Sequence, residues 1–190
     1  MKLLEDRILK EAKALSDEVL LVDMFLNHQV DCELMYEIGG EFSRLFASDG
    51  IGRVVTIEAS GIAPAAMCAL IMKKPLVILK KQPSLVLKNG ILQTEVFSFT
   101  KQKSYMLTLK PEFIAQGDRV LLIDDFLANG EAALGAARLI EQAGGAVAGV
   151  GAVICKSFMP GLRRLKDMGF HVEALANIKR MGAGEIVFED

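Results

Sequence analysis

The sequence predicts an α/β domain in which a parallel sheet is flanked by helices. Three observations carry that expectation. Apolar, β-branched runs alternate with helix-like stretches through most of the chain. The runs VVTIE, PLVILK, VLLID and AVAGVGAVI are continuously apolar, as strands covered on both faces are. Small residues or glycines separate each run from the helix that follows it.

The elements follow in order. Leu3, Leu4, Ile8, Ala12 and Leu15 fall near helical spacing and predict an amphipathic first helix, interrupted at Ser16 or Asp17 before the short apolar run EVLLVDMFL. A second helix is expected near Glu33 to Phe46. After SDGIG come the strand VVTIE, the small-residue turn ASGIAP, and the helix PAAMCALIM with proline in its first turn. PLVILK is the next strand. VLLID, the helix AALGAARLIEQA ended by Gly144 and Gly145, and AVAGVGAVI repeat the unit. MPGLRRLKDMG and HVEALANI form the last one.

Residues 81–109 depart from this rhythm. They alternate at period two around Asn89-Gly90, a strong hairpin signal, and predict an inserted flexible hairpin or, equally, a plain antiparallel edge of the sheet. With no internal repeat or linker, the expected organisation is one domain over 1–190 that carries this insertion at 81–109.

Composition narrows the function classes. Apolar residues make up 52% and charged residues 24% of the chain, and the mean hydropathy of +0.34 excludes a disordered chain. So apolar a chain also points to buried self-association surface. A net charge of −2 argues against nucleic acid as the main partner. The amino end, MKLLEDRILKEAK, lacks the apolar core of a secretory signal, and GGAVAGVGAVIC falls short of the roughly 20 apolar residues that span a bilayer. A cytoplasmic protein without membrane contact is therefore expected. Cys32, Cys68 and Cys155 are widely spaced, without the close partners of a zinc site, and read as reduced small hydrophobes.

The informative stretch is VLLIDDFLANGEAALGAARL, residues 120 to 139. In open parallel sheets, ligands bind beyond the carboxyl ends of strands, where Asp124 and Asp125 fall. The turn Phe126 to Asn129 then delivers Gly130 to Ala132 to a helix start, whose free N–H groups favour a phosphate. Carboxylates beside such a cradle repel the ligand unless they face hydroxyls or a metal, so a phosphorylated ribose with Mg2+ fits. A strand ending in two aspartates also occurs in receiver-like domains and magnesium phosphatases, and the acids could simply cap the helix. Neither GxxxxGK[ST] nor GxGxxG is present, which weighs against nucleoside triphosphates and dinucleotides.

VLLIDDFLANGEA resembles the ribose-phosphate motif of the type I phosphoribosyltransferases. That motif usually has hydroxyl residues around glycines, where this chain has Asn129, Glu131 and Ala132. EVLLVDMFLNHQVD, EASGIAP, the lysine pair Lys80-Lys81 and AVICKSF extend the resemblance over nearly the whole chain, toward the bacterial xanthine-specific branch of that family.

The resemblance implies a parallel sheet with a small hood formed largely by the amino-terminal region. It implies transfer of 5-phosphoribosyl from phosphoribosyl pyrophosphate to xanthine in purine salvage, by a homodimer, with Mg2+ carried mainly by phosphoribosyl pyrophosphate and no protein ligand assigned to the metal. Asp124 and Asp125 would hold the ribose hydroxyls and favour its developing positive charge. Ala128, Asn129, Gly130, Glu131 and Ala132 would bind phosphoribosyl pyrophosphate; Ser60, Gly61 and Lys81 would take the pyrophosphate. The main chain at Leu20, with Asn27 and Lys156, would form the xanthine site, and Phe158 would stack on the base or belong to the core. A fixed ammonium favours an oxygen-rich purine over an amino-purine. His28 reads as structural. Closure of 82–104 would exclude water from the activated sugar. The alternatives are a transferase for guanine, hypoxanthine or adenine, and a DNA-gripping regulator that senses phosphoribosyl pyrophosphate. The latter carries an added domain for which this chain shows no spare length.

Overall fold

A computed structural model describes residues 1–81, 90–98, 102–182 and 184–189. Among these residues the main sheet has six strands in the order β10-β9-β8-β7-β3-β4. Its strands are β3 (Arg53–Ile57), β4 (Leu76–Leu79), β7 (Arg119–Leu127), β8 (Ala146–Lys156), β9 (Val172–Gly182) and β10 (Glu185–Phe188). All pair in parallel except β10, which runs back along β9 as an edge the apolar pattern did not predict. Alternate residues feed opposite cores. Val54, Leu121 and Ile123 face α2 (Cys32–Leu45) and α3 (Ile62–Met72), while Val55, Leu122 and Ile57 pack with Leu134 and Leu139 of α4 (Glu131–Gln142) and Leu165 of α5 (Gly161–Asp167). The α/β expectation and the helix-flanked parallel sheet hold.

The amino-terminal reading needs correction at one boundary. Helix α1 (Lys2–Glu11) stops four residues short of Leu15, which is 62% exposed. The Ser16 hydroxyl accepts the N–H groups of Glu18 and Val19, and that turn closes a small hairpin of β1 (Lys13–Ala14) and β2 (Leu20–Leu21). Next, Asp23–Asn27 forms a π-helix that buries Phe25 and Leu26 against the core. Asp31 caps α2 by accepting the Leu34 N–H, which starts that helix within a residue of expectation.

The inserted segment does form an antiparallel pair, β5 (Leu92–Ser98) with β6 (Lys103–Leu109), but its register runs from Leu92↔Leu109 to Ser98↔Lys103. The connection of this pair therefore falls at residues 99–102, while the turn expected around Asn89-Gly90 involves residues 82–89, which lie outside the described residues. Much of the 82–104 flap does too. Where described, β5 is docked on α4: Arg138 donates to the Thr94 hydroxyl and the Glu95 carbonyl, and Val96 is buried. A bridge between Lys80 and Thr108 ties β6 to the end of β4.

The cysteines are all free thiols, but only two behave as small hydrophobes. Burial pushes the Cys68 thiol up to about 12 and the Cys155 thiol up to about 11. Cys32, in contrast, opens α2 at an exposed position. No helix among the described residues is long and apolar enough to cross a membrane.

Candidate active site

From β3 the chain moves outward to β4, whereas from β7 it moves the other way to β8 and β9, so the strand order reverses between β3 and β7. A crevice forms at the carboxyl end of such a junction. Here it is flanked by the turn after β3, the lysines after β4, the acids of β7 and the loop after β8.

Asp124 and Asp125 lie within β7, which continues to Leu127 and so takes up the first two residues of the turn expected at Phe126 to Asn129. Each carboxylate accepts the next residue's backbone N–H, at 3.0 Å for Asp124 and 2.9 Å for Asp125. The Asp124 carboxyl sits deep among protein atoms even though the residue keeps some exposure. Burial, then the charge of Asp125, hold its proton affinity well above the ordinary carboxylate value, and Lys81 partly opposes this. A cation brought alongside would relieve that cost, so the pair fits a metal-bearing ligand.

The turn after β3 presses against this strand. A Cβ on Gly61 would lie 2.5 Å from the Thr56 hydroxyl and 3.2 Å from Asp124 Oδ1, so the approach requires glycine. Ser60 is half-buried in the same turn. The two lysines part company. Lys80 Nζ pairs with Glu58 Oε2 at 3.1 Å, while Lys81 offers its backbone N–H to Glu58 Oε1 and its ammonium to the Tyr105 ring, 5.6 Å from the centroid. Burial alone would raise the Glu58 carboxyl; the Lys81 N–H and the Lys80 ammonium outweigh it and bring it below the usual value.

Lys81, Asp124 and the whole loop Ala128, Asn129, Gly130, Glu131 and Ala132 line one pocket of ≈ 190 Å³, together with Phe97 and Tyr105 of the β5–β6 pair. Burial and the neighbouring Asp124 push the Tyr105 hydroxyl up to about 12. Gly130 takes φ 85 at the start of α4, a turn that a side chain disfavours. Helix α5 braces the loop from behind: the Gly161 N–H donates to the Ala128 carbonyl at 2.8 Å, and Arg164 Nη1 donates to the Asn129 carbonyl at 2.7 Å and to Glu131 Oε1 at 2.6 Å. The sequence reading missed Gly161 and Arg164; the PGLRR stretch was legible only as a helix start.

Ala128 and Asn129 also form the wall of a second, wider cleft of ≈ 820 Å³ with Lys156, Phe158 and the Asp17–Val19 turn. Phe158 belongs to this cleft and is 43% exposed, so it is not core. Lys156 is buried, donates to the Glu18 carbonyl at 2.5 Å and sits 5.3 Å from the Phe126 ring centroid. Burial lowers its proton affinity, with Glu18 and Asp125 acting in the opposite direction. Leu20, buried in β2, and Asn27, exposed at the end of the π-helix, line neither cleft. Thus Lys156 shares a cleft with Ala128 and Asn129 of loop 128–132, and Asn27 does not. His28 is exposed beside Asn27.

No protein-family model matches the chain. Among individual proteins, xanthine phosphoribosyltransferase 1 of Clostridium botulinum strain Hall is 56% identical over 188 residues, 99% of each chain. The xanthine phosphoribosyltransferase of Clostridium acetobutylicum is 53% identical over 99% of this chain and 100% of its own. Among solved structures, adenine phosphoribosyltransferase of Thermoanaerobacter pseudethanolicus superposes with a TM-score of 0.76 at 20% identity, over 92% of this chain and 99% of the other. That of Trypanosoma brucei, in complex with AMP, pyrophosphate and ribose-5-phosphate, gives 0.74 at 18% identity over 92% and 79%. These structures share the fold, the full-length relatives share the sequence, and the chain belongs to the xanthine phosphoribosyltransferase family.

Proposed function

We propose that this chain, acting over its full length as one domain, transfers 5-phosphoribosyl from phosphoribosyl pyrophosphate to a nitrogen of xanthine. The products are xanthosine 5'-monophosphate and pyrophosphate, which places the reaction in purine salvage. The observation that carries the reading is the meeting of Gly61 and Asp124 across the β3–β7 junction, beside the pocket of loop 128–132.

Backbone N–H groups of Ala128 to Ala132 at the start of α4 take the 5-phosphate. Asp124 and Asp125 hold the ribose hydroxyls, and their negative charge favours the cation that develops at the anomeric carbon as the leaving group departs. Ser60, Gly61 and Lys81 receive the pyrophosphate. Tyr105 and Phe97 keep water from the sugar, which otherwise hydrolyses. Mg2+, carried mainly by the substrate, neutralises the pyrophosphate charge when bound. Asp124 and Asp125 fit such a cation, because Asp124 lines the pocket and, with Asp125 beside it, resists ionisation without a positive neighbour.

Lys156 supplies the ammonium for the oxygen-rich base. Asn27 and the Leu20 main chain join the base site by resemblance alone. A homodimer in the cytoplasm completes the proposal. The test is nucleotide formation from phosphoribosyl pyrophosphate and Mg2+ with xanthine, guanine, hypoxanthine and adenine in parallel. Preference for xanthine is expected; turnover of another base in its place overturns the substrate, and no turnover with any base overturns the reaction.

A further inference from the structure

Glu131 presents a difficulty for the site just described. It opens α4, so its carboxylate stands where the helix offers free N–H groups and competes with an incoming phosphate for the same positive field. Among the described residues, Arg164 on α5 answers it. One nitrogen, Nη1, donates both to Glu131 Oε1 and to the Asn129 carbonyl, and so gathers the acid and the loop backbone into one arrangement. The helix that carries Arg164 follows directly on Lys156 and Phe158, so it also joins the phosphate pocket to the wider cleft.

We propose that Arg164 is a positioning residue for phosphoribosyl pyrophosphate. Its guanidinium neutralises Glu131, draws that carboxylate away from the phosphate, and fixes the loop through the Asn129 carbonyl. The inference rests on the reading that loop 128–132 binds the 5-phosphate. The pair is partly open to solvent, with side-chain exposures of 41% for Arg164 and 27% for Glu131, so its effect is moderate and sensitive to salt. A lysine keeps the charge but not the planar fork, and restores part of the effect.

The experiment is calorimetric titration of phosphoribosyl pyrophosphate with Mg2+ into the wild-type chain, Arg164→Ala, Arg164→Lys, Glu131→Gln and the Arg164→Ala/Glu131→Gln double variant, at low and high salt. Arg164→Ala is expected to weaken binding about tenfold at low salt, less at high salt, because an unpaired carboxylate then faces the phosphate. In the Glu131→Gln background the same substitution costs about threefold or less, the remainder belonging to the Asn129 carbonyl. Arg164→Lys falls between wild type and Arg164→Ala. Where the alanine variant fails to fold, Arg164→Gln supplies the same readings. Binding within about twofold of wild type overturns the proposal, as does a loss that ignores both salt and the Glu131 substitution, which marks a merely structural role. A wild-type chain that binds phosphoribosyl pyrophosphate without making nucleotide defeats the proposed reaction while the titrations still decide Arg164. One that does not bind it defeats both.

Discussion

The two ends of the site are built in opposite ways. At the proposed phosphate end, backbone shapes a pocket of ≈ 190 Å³ that Lys81, Phe97 and Tyr105 also line: Gly161 N–H meets the Ala128 carbonyl, Gly130 turns at positive φ, and Gly61 lies against β7 with no room for a methyl group. At the proposed base end, a cleft of ≈ 820 Å³ is walled by side chains and by the turn of the β1–β2 hairpin, and the Lys156–Glu18 bond ties that turn to the sheet. The difference follows from what each end must do. A phosphate is recognised by fixed donors whatever sugar or base it carries, so rigid backbone suits it. Choosing one purine among several depends on exchangeable side chains, and here Lys156 at the end of β8 and Phe158 just after it line the cleft. On this view, damage at one end should leave the other end's readout intact.

The largest effect belongs to Asp124, the carboxylate that lines the smaller pocket. Asp124→Asn should lower kcat/KM by about a hundredfold to a thousandfold, the loss typical for one preorganised charge at a reacting centre. Its stability should move the other way. Because the folded state raises the Asp124 proton affinity, the stability due to that proton is present below the unfolded-state value and is lost as pH rises through the raised one. Above that window the native protein carries a buried charge that asparagine lacks. Thermal unfolding across pH should therefore show Asp124→Asn more stable than wild type near neutrality, with the advantage vanishing in acid. A variant less stable at every pH would remove the burial argument for this residue.

A smaller but sharper effect is expected at Gly161. An added Cβ would lie 2.3 Å from the Ala128 carbonyl oxygen and 2.7 Å from the Gly130 nitrogen, both backbone atoms that must move. Overpacking of this kind costs about 1–3 kcal/mol, so Gly161→Ala should lower kcat/KM for phosphoribosyl pyrophosphate about tenfold to a hundredfold. The ratio of xanthine to guanine turnover should stay within about twofold of wild type, since the clash falls on the backbone at Ala128 to Gly130 and not on Lys156 or Phe158. Steady-state kinetics with both bases checks this, and a shifted ratio would break the division between the ends.

The same division governs what the sequence disclosed. The phosphate end is one strand–loop–helix unit, so Asp124, Asp125 and residues 128–132 are neighbours in the chain, and a local motif exposes them. Strand and helix alternation disclosed the sheet for the same reason, because each unit buries its own apolar run. What stayed hidden depends on distant partners. Lys156 meets Glu18 across 138 positions, Arg164 reaches Glu131 across 33, and no spacing rule connects them. Strand β10 is short and half-buried, so its pattern has no continuous apolar run to announce it. The β5–β6 connection at 99–102 went unread because Asn-Gly is the stronger turn signal of the segment, while the β5–β6 register follows the burial of Val96, Leu107 and Leu109.

Lys156 gives the mildest and most selective test. Its ammonium is buried with one donor on the Glu18 carbonyl and the Phe126 ring nearby, which leaves further N–H donors for a ligand oxygen in the wide cleft. Replacing it with methionine keeps the length and removes the charge. Losing a hydrogen bond from a charged donor should lower kcat/KM for xanthine about tenfold and leave the KM for phosphoribosyl pyrophosphate unchanged, so that the preference over hypoxanthine narrows. Stability discriminates this from a packing defect. Burial already disfavours the charged amine, so its removal relieves a desolvation cost that offsets the lost bond to Glu18, and the melting temperature should not fall. An equal loss with every purine, or a raised KM for phosphoribosyl pyrophosphate, would show that Lys156 supports the shared wall at Ala128 and Asn129 rather than reading the base.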